Sequence, residues 1–221
     1  MIVDPQEEFY KNYALSNGKM HVFRFVNTNF GSKWAGLWKM DRKILDYWAY
    51  KVNNHWLSMD NCVDFKHMQW SAVHRHHVDD LKIDEEVVPI EGGFISLLKI
   101  RNHGDHKKEV KINLEVGVNM RHRNTNYHEK RYDVDKVRSL VRVKQGKDRV
   151  YFGSIKGNFK KGCRYEKHNP GFYAEHCGYV TKGGVGGTWN EVPQSKFVPG
   201  DYSVKISLKP HEDKDVPFFF S

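Results

Sequence analysis

Apolar and polar residues alternate with a period of two along most of this chain, the repeat of a β-strand whose successive side chains point to opposite faces. His21–Val26 follows the turn-forming Ser16-Asn17-Gly18 and reads as a strand leaving a turn. Phe94–Arg101 runs into Asn102-His103-Gly104-Asp105, after which Glu109–Val116 places Val110, Ile112, Leu114 and Val116 on one face; the two segments read as a hairpin. Ser139–Lys144 turns at Gln145-Gly146-Lys147-Asp148 into Arg149–Phe152, and Tyr202–Leu208 leaves Pro199-Gly200-Asp201 with Tyr202, Val204, Ile206 and Leu208 facing together. Helical spacing is confined to Glu7–Leu15 and Asp41–Tyr50, so at most short helices are expected. Many short strands separated by turn signals predict a mainly all-β fold, an antiparallel two-sheet β-sandwich. Two stretches resist the pattern: Cys62–Asp84, rich in histidine and charge, and Arg121–Asp135, polar enough for a long loop or an exposed edge. The apolar Phe218-Phe219-Phe220 near the end must pack on this core or on a following domain.

A length of 221 residues fits one sandwich domain spanning 1–221. A chain of this size buries about 70–75% of its unfolded surface, enough to form a core without disulfide or metal. The three cysteines, Cys62, Cys163 and Cys177, are odd in number, far apart and without a Cys-x-x-Cys pair, which suits a reducing compartment. The N-terminus lacks the basic and apolar regions of a signal peptide, and no run approaches the ~18 apolar residues of a membrane span, so a soluble, cytoplasmic protein is expected. The net charge of +9 leaves polyanions open as partners, but acidic residues interrupt every wide basic stretch and weigh against nucleic acid.

Chemistry is sparse. His74-Arg75-His76-His77 precedes Asp79-Asp80, and on a strand His74 and His76 share a face; they are the candidate metal ligands, although a solvated strand explains such a cluster more simply and no metal or other cofactor is expected. Gly183-Gly184-Val185-Gly186-Gly187-Thr188 lacks both the following helix and the Gly-Lys-Ser/Thr of a nucleotide loop, so it reads as a flexible loop presenting Trp189. No Gly-x-Ser-x-Gly elbow is present and no catalytic residue can be named. Aromatic residues make up 14% of the chain, with Trp34, Trp38, Trp48, Trp56 and Trp70 crowded into its first third. Aromatic faces stack on the C–H faces of sugars, yet large aromatics most often fill cores.

Five short segments in order carry a family resemblance. Leu15-Ser16-Asn17-Gly18-Lys19-Met20 is similar to an opening L-G-N-G-x-L strand, with Ser16 where glycine is usual, and Ala35-Gly36-Leu37-Trp38 to a G-V-W segment. Phe94–Asn113 is similar to a strand pair of the form x-V-R-x-V-x-N, Tyr179–Trp189 to a glycine-rich stretch ending in Gly-Thr-Trp, and Val198-Pro199-Gly200-Asp201-Tyr202 to an L-x-P-G-E entry to the last strand. Together they resemble the N-terminal β-sandwich, or supersandwich, domain of archaeal and prokaryotic glycogen-debranching (amylo-α-1,6-glucosidase) and glucoamylase-type enzymes. The resemblance implies a non-catalytic domain that packs against a catalytic α/α toroid, in cis or in trans, in α-glucan hydrolysis. If the domain touches glucan itself, Trp34, Trp38 and Trp189 are the residues expected to do so; a free-standing carbohydrate-binding protein is the alternative.

Overall fold

The computed structural model describes residues 2–4, 11–32, 34–122, 132–165 and 197–221, and none of them is helical. Two antiparallel sheets form the predicted sandwich. The first, nine-stranded among the described residues, runs in the spatial order β1 (Ile2–Val3), β7 (Cys62–His67), β8 (Ala72–Val78), β9 (Leu81–Ile90), β10 (Gly93–Asn102), β17 (Asp213–Phe220), β14 (Asp148–Gly153), β13 (Leu140–Gln145) and β12 (Asp133–Val137). The second runs β15 (Asn158–Tyr165), β16 (Phe197–Leu208), β11 (Lys108–His122), β5 (Arg42–Val52), β4 (Gly36–Lys39), β3 (Met20–Phe25) and β2 (Asn12–Ser16), with β6 (His55–Trp56) paired to β5.

Period-two alternation explains the core. β10 sends Phe94, Leu98 and Ile100 inward, β11 sends Val110, Ile112, Leu114 and Val116, and β17 sends Val216, Phe218 and Phe220. The apolar C-terminal run therefore packs on this core. Trp48 lies at its centre, with ring centroids 4.6 Å from Phe94 and 5.9 Å from Phe220, and Phe94 stacks on Phe220 at 4.4 Å. The hairpin read at Gln145–Asp148 forms as β13–β14.

Three expectations are corrected. Asp41–Tyr50 is no helix; from Arg42 on it is most of β5, which is buried along both of its faces. Such a strand reads as a continuous apolar run and loses the alternation that marks one-sided burial. In the other candidate helix, Asn12–Ser16 is strand β2, and Glu7–Tyr10 lie outside the described residues. Phe94–Arg101 and Glu109–Val116 do not pair with each other: β10 belongs to the nine-stranded sheet and β11 to the other, so the turn between them is a corner from sheet to sheet. Buried Asn102 holds that corner, its Nδ2 donating to His106 O at 2.8 Å and to Lys209 O at 3.0 Å, while its Oδ1 accepts from Gly104 N at 3.0 Å. Cys62–Asp84, which resisted a strand reading, is β7, β8 and the start of β9.

Candidate functional site

Two polar clusters stand out, one between the sheets and one on the face of the eight-stranded sheet turned away from the core. The inner cluster arises because charges occupy inward positions of otherwise apolar strands. Met20, Val22 and Arg24 point inward from β3, as do Leu81, Ile83, Glu85 and Val87 from β9 and His74 and His76 from β8. Arg24 Nη1 donates to Glu85 Oε1 at 2.8 Å, and the same oxygen accepts from Trp48 Nε1 at 3.0 Å and Ser96 Oγ at 3.2 Å. The Arg24 guanidinium also lies 4.8 Å from the Phe30 ring and 5.2 Å from that of Trp48. Burial pushes the Glu85 carboxyl up, but the facing Arg24 brings it below its ordinary value, so the pair is charged.

His74 and His76 share the inward face, as their spacing predicted. His74 Nε2 lies 3.4 Å from Phe25 O and His76 Nδ1 lies 2.8 Å from Asn61 Oδ1. Burial drives both imidazoles toward the neutral form, with Arg24 adding to the effect; His76 falls to about 4. The second ring nitrogen of each is buried without a hydrogen-bond partner, as is Glu85 Oε2. Among the described residues, no group of three His, Cys, Asp or Glu side chains is arranged to hold a metal ion. Asp79 and Asp80 pair elsewhere, with His55 and Lys108.

The outer cluster is built on β4, β5 and β11. Trp38 on β4 stands opposite Lys43 on β5, and Lys43 stands opposite Arg121 on β11. Lys43 Nζ lies 5.7 Å and Arg121 Cζ 5.4 Å from the Trp38 ring centroid. Register shifts in β5 and β11 bring Asp46 into the cluster, where its Oδ1 meets Lys43 Nζ at 2.5 Å and its Oδ2 accepts from Asn119 Nδ2 at 3.0 Å. Farther along, Tyr47 OH donates to Glu115 Oε1 at 3.0 Å, and Arg164 of β15 pairs with both Glu115 and Asp201. Tyr47 lies across Gly117, where any Cβ would sit 2.0 Å from its ring, so only glycine fits opposite it.

The two tryptophans named from the sequence meet at the end of this cluster and differ in role. Trp34 is 47% exposed, whereas Trp38 is 8% exposed. Trp38 Nε1 donates to Trp34 O at 2.7 Å, and the rings lie 5.8 Å apart at 30°. Trp38, its ring lined by the buried cations Lys43 and Arg121, thus positions Trp34, which offers an accessible aromatic face. Trp189, with its glycine-rich loop, lies outside the described residues. The crowd of tryptophans in the first third divides further, since Trp48 is core and Trp70 is exposed. Composition pointed to Trp34 and Trp38, but not to Lys43, Asp46 and Arg121. The signal missed was a set of charges inside a run that is otherwise apolar.

No protein-family model matches the chain, and no curated protein does. Solved structures do. A provisionally assigned kojibiose phosphorylase from the human microbiome superposes with a TM-score of 0.55 at 9% identity, over 100% of this chain and 31% of that one. A provisionally assigned aldose 1-epimerase from Escherichia coli K12 superposes at 0.50 with 8% identity, over 95% of this chain and 98% of that one. This chain thus spans under a third of the length of the phosphorylase and nearly the whole of the epimerase. At such identities the likeness establishes the fold, a β-sandwich that occurs in sugar-processing enzymes.

Proposed function

We propose that this chain is a non-catalytic carbohydrate-binding β-sandwich domain, acting beside a catalytic α/α toroid supplied in cis or in trans, and that its ligand is an α-glucan. The observation that carries the reading is the half-exposed Trp34 ring, held by the buried Trp38. An exposed aromatic face takes up the apolar C–H side of a sugar ring. The sugar-related names of the structural neighbours support the same reading. The α-glucan and the toroid come from the sequence resemblance alone. Free Cys62 and Cys163 are compatible with a reducing, cytoplasmic setting, and no helix among the described residues is long and apolar enough to cross a membrane.

Native affinity gels containing glycogen or amylopectin test the proposal. The purified chain is expected to be retarded, and the retardation should survive high salt because stacking is not screened. Trp34→Ala should remove most of it while leaving the thermal melt unchanged. Trp38→Ala should lower both retention and stability, because it removes a buried ring that braces Trp34. Retention undiminished in folded Trp34→Ala would exclude this face as the glucan site.

A further inference from the structure

Most of the chain's net positive charge lies in one segment. Residues 132–165 carry ten Lys and Arg against three Asp, so they account for +7 of the net +9. Folding gathers this segment onto one flank. β12, β13 and β14 close one end of the nine-stranded sheet, β15 closes the eight-stranded one, and Lys161 Nζ donates to Val134 O at 2.9 Å across the two edges. Lys136, Arg138, Lys144, Lys147, Arg149, Lys156 and Lys160 are all exposed. Among the described residues, the ion pairs that the three aspartates make are Asp135 with Arg142 and Asp148 with Arg42.

We infer that this flank docks an anionic polysaccharide, a chain bearing carboxylate or sulfate groups. Lysines on β12 and β15 have an ordinary explanation, since charge on an edge strand blocks pairing with other chains. That explanation does not reach Lys144, on the interior strand β13, whereas Arg149 lies on the part of β14 beyond its pairing with β17 at Phe152 and Gly153. Lys144 stands in register between Arg149 of β14 and Asp133 of β12, so one acid faces two cations there. The turn between β13 and β14 adds Lys147, so three cations project together. The surface also indicates the kind of polyanion. The exposed large apolar residues here are Val137 and Ile155, whereas Tyr132, Tyr151 and Phe159 are half-buried and Phe152 is buried. Single-stranded nucleic acid is held by exposed aromatic rings that stack on its bases, and this flank offers none among its described side chains. A surface on which cations outnumber acids ten to three suits a polymer recognised through its charged groups. The choice of a sugar polymer rests on the carbohydrate reading above; the basic surface itself does not.

The test is retardation in native gels containing polygalacturonate, dextran sulfate or a duplex DNA at matched charge concentration, run at low and high salt. The unaltered chain should be retarded by at least one acidic polysaccharide at low salt and released at high salt, and whichever one retards it identifies carboxylate or sulfate as the group bound. Lys147→Glu/Arg149→Glu/Lys156→Glu should weaken that binding by roughly tenfold or more, in line with the loss of several charge contacts. Arg149→Glu places an acid opposite Lys144 and so replaces a repulsion with an attraction. Should the triple variant nevertheless unfold, Lys144→Gln/Lys160→Gln decides in its place. Trp34→Ala should bind the acidic polymers normally, so failure of the glucan reading and failure of this one are separable. Absence of retardation by both acidic polysaccharides, equal or stronger retardation by DNA, or full binding by a folded charge variant would overturn the inference.

Discussion

Arg24 and Glu85 show how one ion pair can be tolerated in an apolar interior. Glu85 Oε1 gathers three donors, and the Arg24 guanidinium lies against the rings of Phe30 and Trp48, so much of the desolvation cost is offset locally. Removing one partner leaves the other charged and buried. Glu85→Leu is therefore expected to cost about 3–5 kcal/mol in urea unfolding, and Arg24→Met/Glu85→Leu clearly less than the sum of the two single changes. An additive pair of losses would refute the coupling. His76 sets an acid limit. Its folded value of about 4 lies below the ordinary 6.5, because burial and Arg24 disfavour the cation more than Glu85 and Asp84 favour it, with His77 adding to the depression. The unfolded chain takes up a proton as pH falls through 6.5 while the folded chain does not until about 4. Stability is thus complete above 6.5 and should fall by roughly 3 kcal/mol on acidification to 4. His74 and Glu85, also depressed, act in the same direction. Melting curves at pH 7.5 and 4.5 read this directly, and His76→Gln should flatten the difference; equal Tm values for the unaltered chain would contradict it.

At the scale of elements, alternation is the strongest constraint, and β17 shows it best. Phe218 and Phe220 point into the core and Phe219 points out. Phe220→Ala should cost about 3–5 kcal/mol and Phe219→Ala under about 1 kcal/mol, measured as shifts in denaturant midpoint; similar costs would mean that the strand's register is wrong. The same alternation made β3, β10, β11, β13, β14 and β16 legible from the sequence. It fails where burial is two-sided, as in β5, whose unbroken apolar stretch mimics a helix. It also fails where inward positions are polar, as in β8 and β9, where His74, His76 and Glu85 disguise the core face. Sheet membership was hidden for another reason. The turn after β10 has hairpin composition, but Asn102 is spent on bonds that tie a corner rather than a two-strand turn. Arg24, a lone charge in phase with Met20 and Val22, was the visible hint of the inner pair. Nothing in the sequence separated the exposed Trp34 from its brace Trp38, because the groups packed on the Trp38 ring include Arg121, which is distant in the chain.

For the whole molecule, the sandwich separates its tasks in space. The interior polar cluster is sealed and serves stability, the outer face of the eight-stranded sheet carries the aromatic site, and the flank formed by β12 to β15 carries most of the net charge. Because the charge is local, the chain as a whole need not behave as a general polyanion binder, and the interspersed acids elsewhere are consistent with that. The central claim is that Trp34 presents this chain to sugar. The most direct measurement is the mobility of the unaltered chain and of Trp34→Ala in glycogen gels at high salt, beside a gel without polysaccharide. Salt-resistant retardation of the unaltered chain that is lost in folded Trp34→Ala is the predicted result; equal mobility of the two proteins in glycogen would contradict the account.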